Sequence, residues 1–265
     1  NQSSEVDLSS FESSVSDADP VSSTVSDSDI SSEASVGTDF FYSDDWTPSV
    51  GSDSSRFQAN ISAIKTLKMI ESENREASYD EQVILSKYVG WGGLSSFFDE
   101  TKHSDETNTL KQLLTDDEYE AAKATVNDSF YTPRIVISGV YDALMRMGFS
   151  SGNILEPAMG IGNFLSAMPR DMADNSNRYG VEIDPLSGRI AKLLHPNCNI
   201  QITGVENSEL PKNFFDVVIG NVPFGEVKVF DKEFRKENFL IHDYFFAKAL
   251  SLCAPGGIVA FVTSK

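Results

Sequence analysis

From Asn153 onward the chain alternates between short apolar runs and helical stretches, and this alternation limits the possible fold more than any other feature. Asn153 to Glu156, Arg178 to Ile183, Asn199 to Thr203, Phe215 to Gly220 and Ile258 to Thr263 read as strands. Helices are expected from Asn163, over Leu186 to Leu194 and over His242 to Cys253. Strands joined through a helix run parallel, since that crossover returns the chain to the same end of the sheet. The spacing predicts an α/β fold: a Rossmann-like parallel sheet with helices on both faces. In such a sheet, ligands sit beyond the carboxyl ends of the strands, near the switch in strand order.

Three unusual sequences fall on that edge. The first strand ends in Glu156 and runs into Pro157-Ala158-Met159-Gly160-Ile161-Gly162. Gly160 and Gly162 let backbone approach a ligand with no Cβ in the way. The third glycine of the longer dinucleotide fingerprint is missing, so the turn alone fits a plain tight turn about as well. The second strand ends near Glu182, 22 positions after Gly160. That is close to the spacing of a carboxylate that binds a ribose diol; a solvated strand-end acid is the plainer alternative. The fourth strand ends in Asn221-Val222-Pro223-Phe224. An amide oxygen and neighbouring carbonyls can accept hydrogen bonds from an exocyclic amine, and an aromatic face can stack on the ring that carries it. The alternative is a strand-to-loop turn with Asn capping and Phe packing.

Upstream, Phe57, Ile61, Ile64, Leu67 and Ile70 recur at helical spacing. Further helices are expected over Glu81 to Tyr88, Leu110 to Leu114, Asp116 to Thr125 (with Thr115 as N-cap) and Ile135 to Met147. Residues 56–127 read as a small helical region and 128–265 as the α/β core. Trp91, within Gly90-Trp91-Gly92-Gly93, either plugs the interface between the two or contacts a ligand.

The chain has 265 residues and a net charge of −19. Residues 1–55 hold 12 acidic residues, 19 Ser and no Lys or Arg, which leaves 28 acidic and 21 basic residues, a net of −7, over 56–265. Such a Ser/Asp-rich stretch buries too little apolar surface to offset its ordering entropy, so 1–55 reads as a disordered tail. A partner-binding segment around Phe40-Phe41-Tyr42 and Trp46 is the sharper alternative. The acidic balance excludes a coat protein that binds nucleic acid over its whole surface. Cys198 and Cys253 form no disulfide framework, and His103, His195 and His242 share no metal-ligand spacing, so no metal is expected. The N-terminus is not a signal peptide, and the longest apolar run, Ile258 to Val262, is too short for a bilayer; a cytoplasmic location is expected.

Several motifs, in this order, resemble those of S-adenosylmethionine-dependent N6-adenine DNA methyltransferases: Tyr131-Thr132-Pro133, Glu156-Pro157 through Gly160, Gly162 and Phe164, Gly180-Val181-Glu182-Ile183-Asp184, and Asn221-Val222-Pro223-Phe224. The chain is more similar still to the methylase region of large methylase–helicase proteins carried by conjugative plasmids and phages. The features are Arg56-Phe57-x-Ala59-Asn60, Tyr88 to Gly93, Phe239 to Phe246 and Pro255-Gly256-Gly257. The resemblance covers residues 56–265. It implies that Tyr131, Thr132 and the turn with Glu156, Pro157, Gly160 and Gly162 hold the methionine end of S-adenosylmethionine. Glu182 would bind the ribose and Glu206 would lie near the cofactor adenine. Asn221 and Pro223 would hold the target amine, and Phe224 would stack on the target base. The adenine must leave the duplex to be reached.

The resemblance has two departures. Val222 stands where most of the superfamily has Pro, and the two further strands and recognition region expected after the fifth strand are absent from these residues. The fifth strand is then an apolar edge, and the partners implied are adenine-containing duplex DNA and a covalent continuation into recognition and helicase regions. The competing readings are a protein-glutamine or RNA methyltransferase, and a non-catalytic methylase-like DNA-binding module of a larger helicase.

Overall fold

A computed structural model describes residues 37–43, 46, 51–126, 132–223 and 225–263. Five helices come first: α1 (Asp53–Glu73), α2 (Tyr79–Leu85), α3 (Ser104–Leu113), α4 (Asp116–Ala124) and α5 (Arg134–Arg146). The α/β part follows as β1 (Asn153–Glu156), α6 (Asn163–Ser166), α7 (Arg170–Asp174), β2 (Asn177–Glu182), α8 (Pro185–Leu194), β3 (Asn199–Ile202), β4 (Phe215–Asn221), α9 (Ile241–Leu252) and β5 (Cys253–Val262). Local sequence accounts for several boundaries. Ser78 and Thr115 each form a capping box, with Glu81 and Glu118 respectively, and Pro185 opens α8 behind an Asp184 cap.

All strand pairs are parallel, in the order β3-β2-β1-β4-β5. The chain moves outward from β1 to β3 and then returns to the other side of β1, so the switch lies between β1 and β4. Alternate residues face opposite sides of the sheet. Ile154, Val217 and Ile219 pack with Ile137, Tyr141 and Leu144 of α5. Leu155 and Val218 pack with Tyr244, Phe245 and Leu252 of α9. The helical part belongs to the same body. Phe57, Ile64, Leu67 and Trp91 share one hydrophobic cluster with Ile161, Leu186, Ile190 and Leu194. Trp91 is therefore a plug between helices and sheet, edge-on to Tyr88 and Phe98.

The boundary of the acidic tail needs correction. Helix α1 starts at Asp53, and residues 37–43 are docked on the core. The Phe40 N–H donates to Leu194 O (2.7 Å), the Tyr42 N–H donates to Ser166 O (2.9 Å), and Asp39 pairs with Arg178 (2.7 Å). Phe40 is 1 % exposed. Arg170 lies over the Phe41 ring, and Trp46 stacks on Tyr42. The aromatic patch read as an alternative partner-binding segment packs on the chain's own core, and its burial offsets the ordering cost of a few residues. The tail reading for residues 1–36 lies outside the described residues. A second difference concerns β5. Its span begins at Cys253 opposite Phe215, and Pro255-Gly256-Gly257 bulges within it before the ladder resumes at Val217↔Ile258. Among the described residues, β3 and β5 are the two edges of the sheet.

Candidate active site

A cavity of about 320 Å³ opens where the carboxyl ends of β1, β2 and β4 meet. Thr132, Glu156, Pro157, Gly160, Glu182, Glu206, Asn221 and Pro223 all line it. Eight of the expected site residues, drawn from four strand ends and the segment before α5, thus share one space. Tyr131 and Phe224 lie outside the described residues.

Gly162 is placed differently from expectation. It is not among the lining residues; it caps α6 with φ +86°, and a Cβ there would lie 2.6 Å from His195 Nε2. Its role is close packing against a buried ring. Gly160 has φ +56° and open space where a Cβ would project, which suits close approach by a ligand. The two glycines look alike in sequence and face opposite ways in the fold.

Two carboxylates dominate the electrostatics. Glu156 is 2 % exposed, and burial together with the nearby Glu182 carboxylate holds its pKa well above the usual carboxylate range. Glu182 is raised to about 7, chiefly by burial, against the pull of backbone donors. Its Oε2 accepts from the Gly160 N–H (2.6 Å) and its Oε1 from the Asp184 N–H (2.7 Å). The Ile183 N–H is a third backbone donor to this carboxylate, which leaves acceptor capacity for a ligand. Glu156 Oε2 and Thr132 Oγ1 are buried without a partner, a costly state unless a ligand supplies a donor. Such a site favours a ligand that brings hydroxyl donors and positive charge.

Glu206 sits on a short turn after β3, and the bare Gly204 leaves room for its carboxylate. Asn221 ends β4. Val222 is buried, and its N–H donates to Val262 O at 3.3 Å. A proline could not make that bond, which gives the departure at this position a physical reason: here the motif extends the ladder to the edge strand. Sequence reasoning missed Ile183, which is 69 % exposed beside Glu182 on the cavity wall. It also missed Tyr88, Gly90 and Thr125, through which the helical part contributes to the lining. Its place directly after Glu182 in the strand-end motif was the available signal for the first; Tyr88 and Gly90 lie in the Tyr88 to Gly93 motif, where a ligand contact is one reading of Trp91, and Thr125 carries no local signal.

Asp39, His195 and Cys198 bring potential ligand atoms within 4.8 Å of one another, although the sequence shows no metal spacing. The Arg178 guanidinium already neutralises Asp39 there, at 2.7 Å. Burial lowers His195 to about 4 and raises Cys198 to about 12, so the imidazole and thiol are neutral.

Residues 196–265, which include β4 and Asn221, match the family model of the Eco57I restriction-modification methylase. The chain is 32 % identical over 212 residues to the Defense against restriction protein B of Escherichia phage P1, covering 78 % of this chain and 8 % of that protein. It is 34 % identical over 103 residues to the type II methyltransferase M.CvrRI of Paramecium bursaria Chlorella virus XZ-6E, covering 36 % of this chain and 24 % of that one. These matches fit an S-adenosylmethionine-dependent DNA methylase family. A type I restriction-modification methyltransferase subunit from Streptococcus thermophilus superimposes with a TM-score of 0.43 at 13 % identity, over 80 % of this chain and 68 % of that one. The chain therefore spans a small part of the length of its sequence relatives. No helix among the described residues is long and apolar enough to cross a membrane.

Proposed function

We propose that this chain transfers the methyl group of S-adenosylmethionine to the N6 amine of an adenine flipped out of DNA. The observation that carries this reading is that Asn221 and Pro223 line the same cavity as Glu156, Glu182 and Thr132. The cofactor supplies an electrophilic methyl on a sulfonium. In this reading Glu156 and Thr132 hold its methionine end, where the unpartnered Oε2 and Oγ1 meet an ammonium. Glu182 accepts from the ribose hydroxyls. Glu206 and Ile183 flank the cofactor's base. Asn221 Oδ1 and the backbone after it accept the two N6 hydrogens of the target. That draws the nitrogen lone pair out of conjugation with the ring, aims it at the methyl and stabilises the charge that develops during attack. Phe224, by its place in the motif, would stack on the base. No nucleophilic side chain is required, since the amine itself attacks: the N6–CH3 bond forms as the S–CH3 bond breaks, S-adenosylhomocysteine leaves as a neutral thioether, and the surplus N6 proton passes to water.

Calorimetric titration with S-adenosylhomocysteine tests the pocket, and absence of binding by the folded chain would sink the proposal. Incorporation of labelled methyl into duplex DNA, RNA and protein tests the substrate; label in protein or RNA alone would transfer the site to the competing enzyme readings. Asn221→Ala is expected to lower methylation of adenine by at least about a hundredfold and to leave cofactor affinity near that of the parent chain.

A further inference from the structure

Residues 225–240, between Pro223 and α9, have two unlike sides. The inner side is tied down. The buried Asp231 carboxylate accepts hydrogen bonds from Tyr244 Oη (2.8 Å), Lys248 Nζ (2.9 Å) and the Glu233 N–H (2.8 Å). Phe234 packs edge-on to Tyr244, and Val229 lines the cavity. The outer side carries Val227 and Phe230, which are 55 % and 75 % exposed. Lys228, Lys232, Arg235 and Lys236 of the same segment are also exposed. Within this segment Asp231 is answered by Lys248, and Glu233 by Lys212 (2.6 Å). The four cations therefore outweigh the remaining carboxylates, Glu226 and Glu237.

A loop that only joined β4 to α9 would gain by turning Phe230 inward, as it does Phe234 and Phe239. Instead a pinned scaffold presents the ring to solvent, one residue from the cavity wall. Exposed cations and an exposed aromatic on one short segment select among possible occupants. Protein interfaces are depleted of charge at their apolar centre. A nucleic-acid duplex offers phosphates for the cations and, between its base steps, a gap for an apolar wedge.

We propose that Phe230 is the wedge that enters the duplex beside the target adenine and fills the stack it vacates, while Lys228, Lys232, Arg235 and Lys236 hold the flanking phosphates. The proposal rests on the reading of the site as a DNA adenine methyltransferase. Its physical basis is the cost of unstacking and unpairing a base, which a single strand does not carry in full. A wedge should therefore matter for a duplex and hardly at all for a single strand.

The test uses the full chain and measures methyl incorporation into a duplex and into its adenine-containing strand alone, for the parent chain, Phe230→Ala and Phe230→Trp. The expected result for Phe230→Ala is a loss of about tenfold or more on the duplex and a change within about twofold on the single strand. Affinity for S-adenosylhomocysteine is unchanged, and Phe230→Trp restores duplex activity. A Phe230→Ala chain that methylates duplex like the parent overturns the wedge and leaves the methyltransferase reading standing. Equal losses on both substrates also overturn it, since Phe230 would then act on the pocket. If the parent chain binds the cofactor yet methylates neither substrate, the DNA reading fails and the wedge fails with it.

Discussion

Gly160 and Gly162 show how much a residue's role depends on what its missing Cβ would meet. Gly162→Ala would place a methyl 2.6 Å from a fully buried imidazole at φ +86°, where neither backbone nor ring can yield. A loss of about 3 kcal/mol or more is expected in urea unfolding. Gly160→Ala meets nothing and should cost about 1 kcal/mol of stability while weakening cofactor binding; calorimetry on the same sample separates the two effects. Glu182 carries a pH prediction. Between its ordinary 4.5 and about 7 the folded chain keeps a proton that the unfolded chain has lost. Glu182 therefore makes stability fall as pH rises across that window and leaves it flat above. The raised Glu156 works in the same direction. A ligand with positive charge favours the ionised carboxylates, so binding at pH 6 should release protons. Titration in two buffers of different ionisation enthalpy reads this directly, and proton uptake would contradict it.

At the scale of elements, the docked segment 37–43 is the part that sequence reading assigned wrongly. Asp39 and Arg178 have side chains 6 % and 9 % exposed, and Asp39 Oδ1 also accepts from the Asn197 N–H at 2.9 Å. Asp39→Ala strands a buried guanidinium, and about 3 kcal/mol of destabilisation is expected. A midpoint of urea unfolding unchanged from the parent would contradict this. The segment also reaches the site, because Tyr42 Oη donates to Asn163 Oδ1 (2.5 Å) and Asn163 lines the cavity. The helices and strands themselves were legible. Periodicity places α1 and the Thr115 cap places α4, because these signals act within a few residues of the boundary they set; α2 begins at Tyr79 behind a Ser78 cap, two residues before the expected start at Glu81, and α3 begins at Ser104, six before Leu110. The early start of β5 was not legible, since the Cys253–Phe215 pair joins neighbouring strands far apart in the chain and Pro255-Gly256-Gly257 reads locally as a turn.

For the whole molecule, the helical region and the α/β core share one packed interior. One hydrophobic cluster runs from Phe57 and Trp91 into Ile161, Leu186 and Ile190. Salt bridges from Arg189 of α8 to Glu71 and Glu118 (2.5 Å each) join the same parts. Residues 132–265 produced alone should expose that cluster, bind a hydrophobic dye strongly and fail to bind S-adenosylhomocysteine. Cooperative unfolding and parent-like affinity would refute this. The charge also divides by region: most of the −19 lies in residues 1–55, and −7 lies in 56–265. What the sequence determined by itself was the sheet, its parallel sense and the edge where chemistry gathers, because strand periodicity and crossover length are short-range properties. Only the tertiary structure decided which glycine opens to the cavity, that the aromatic patch near residue 40 docks on the core, and that Tyr88, Gly90 and Thr125 share the site wall. Those outcomes depend on contacts between residues far apart in the chain, which no local pattern encodes.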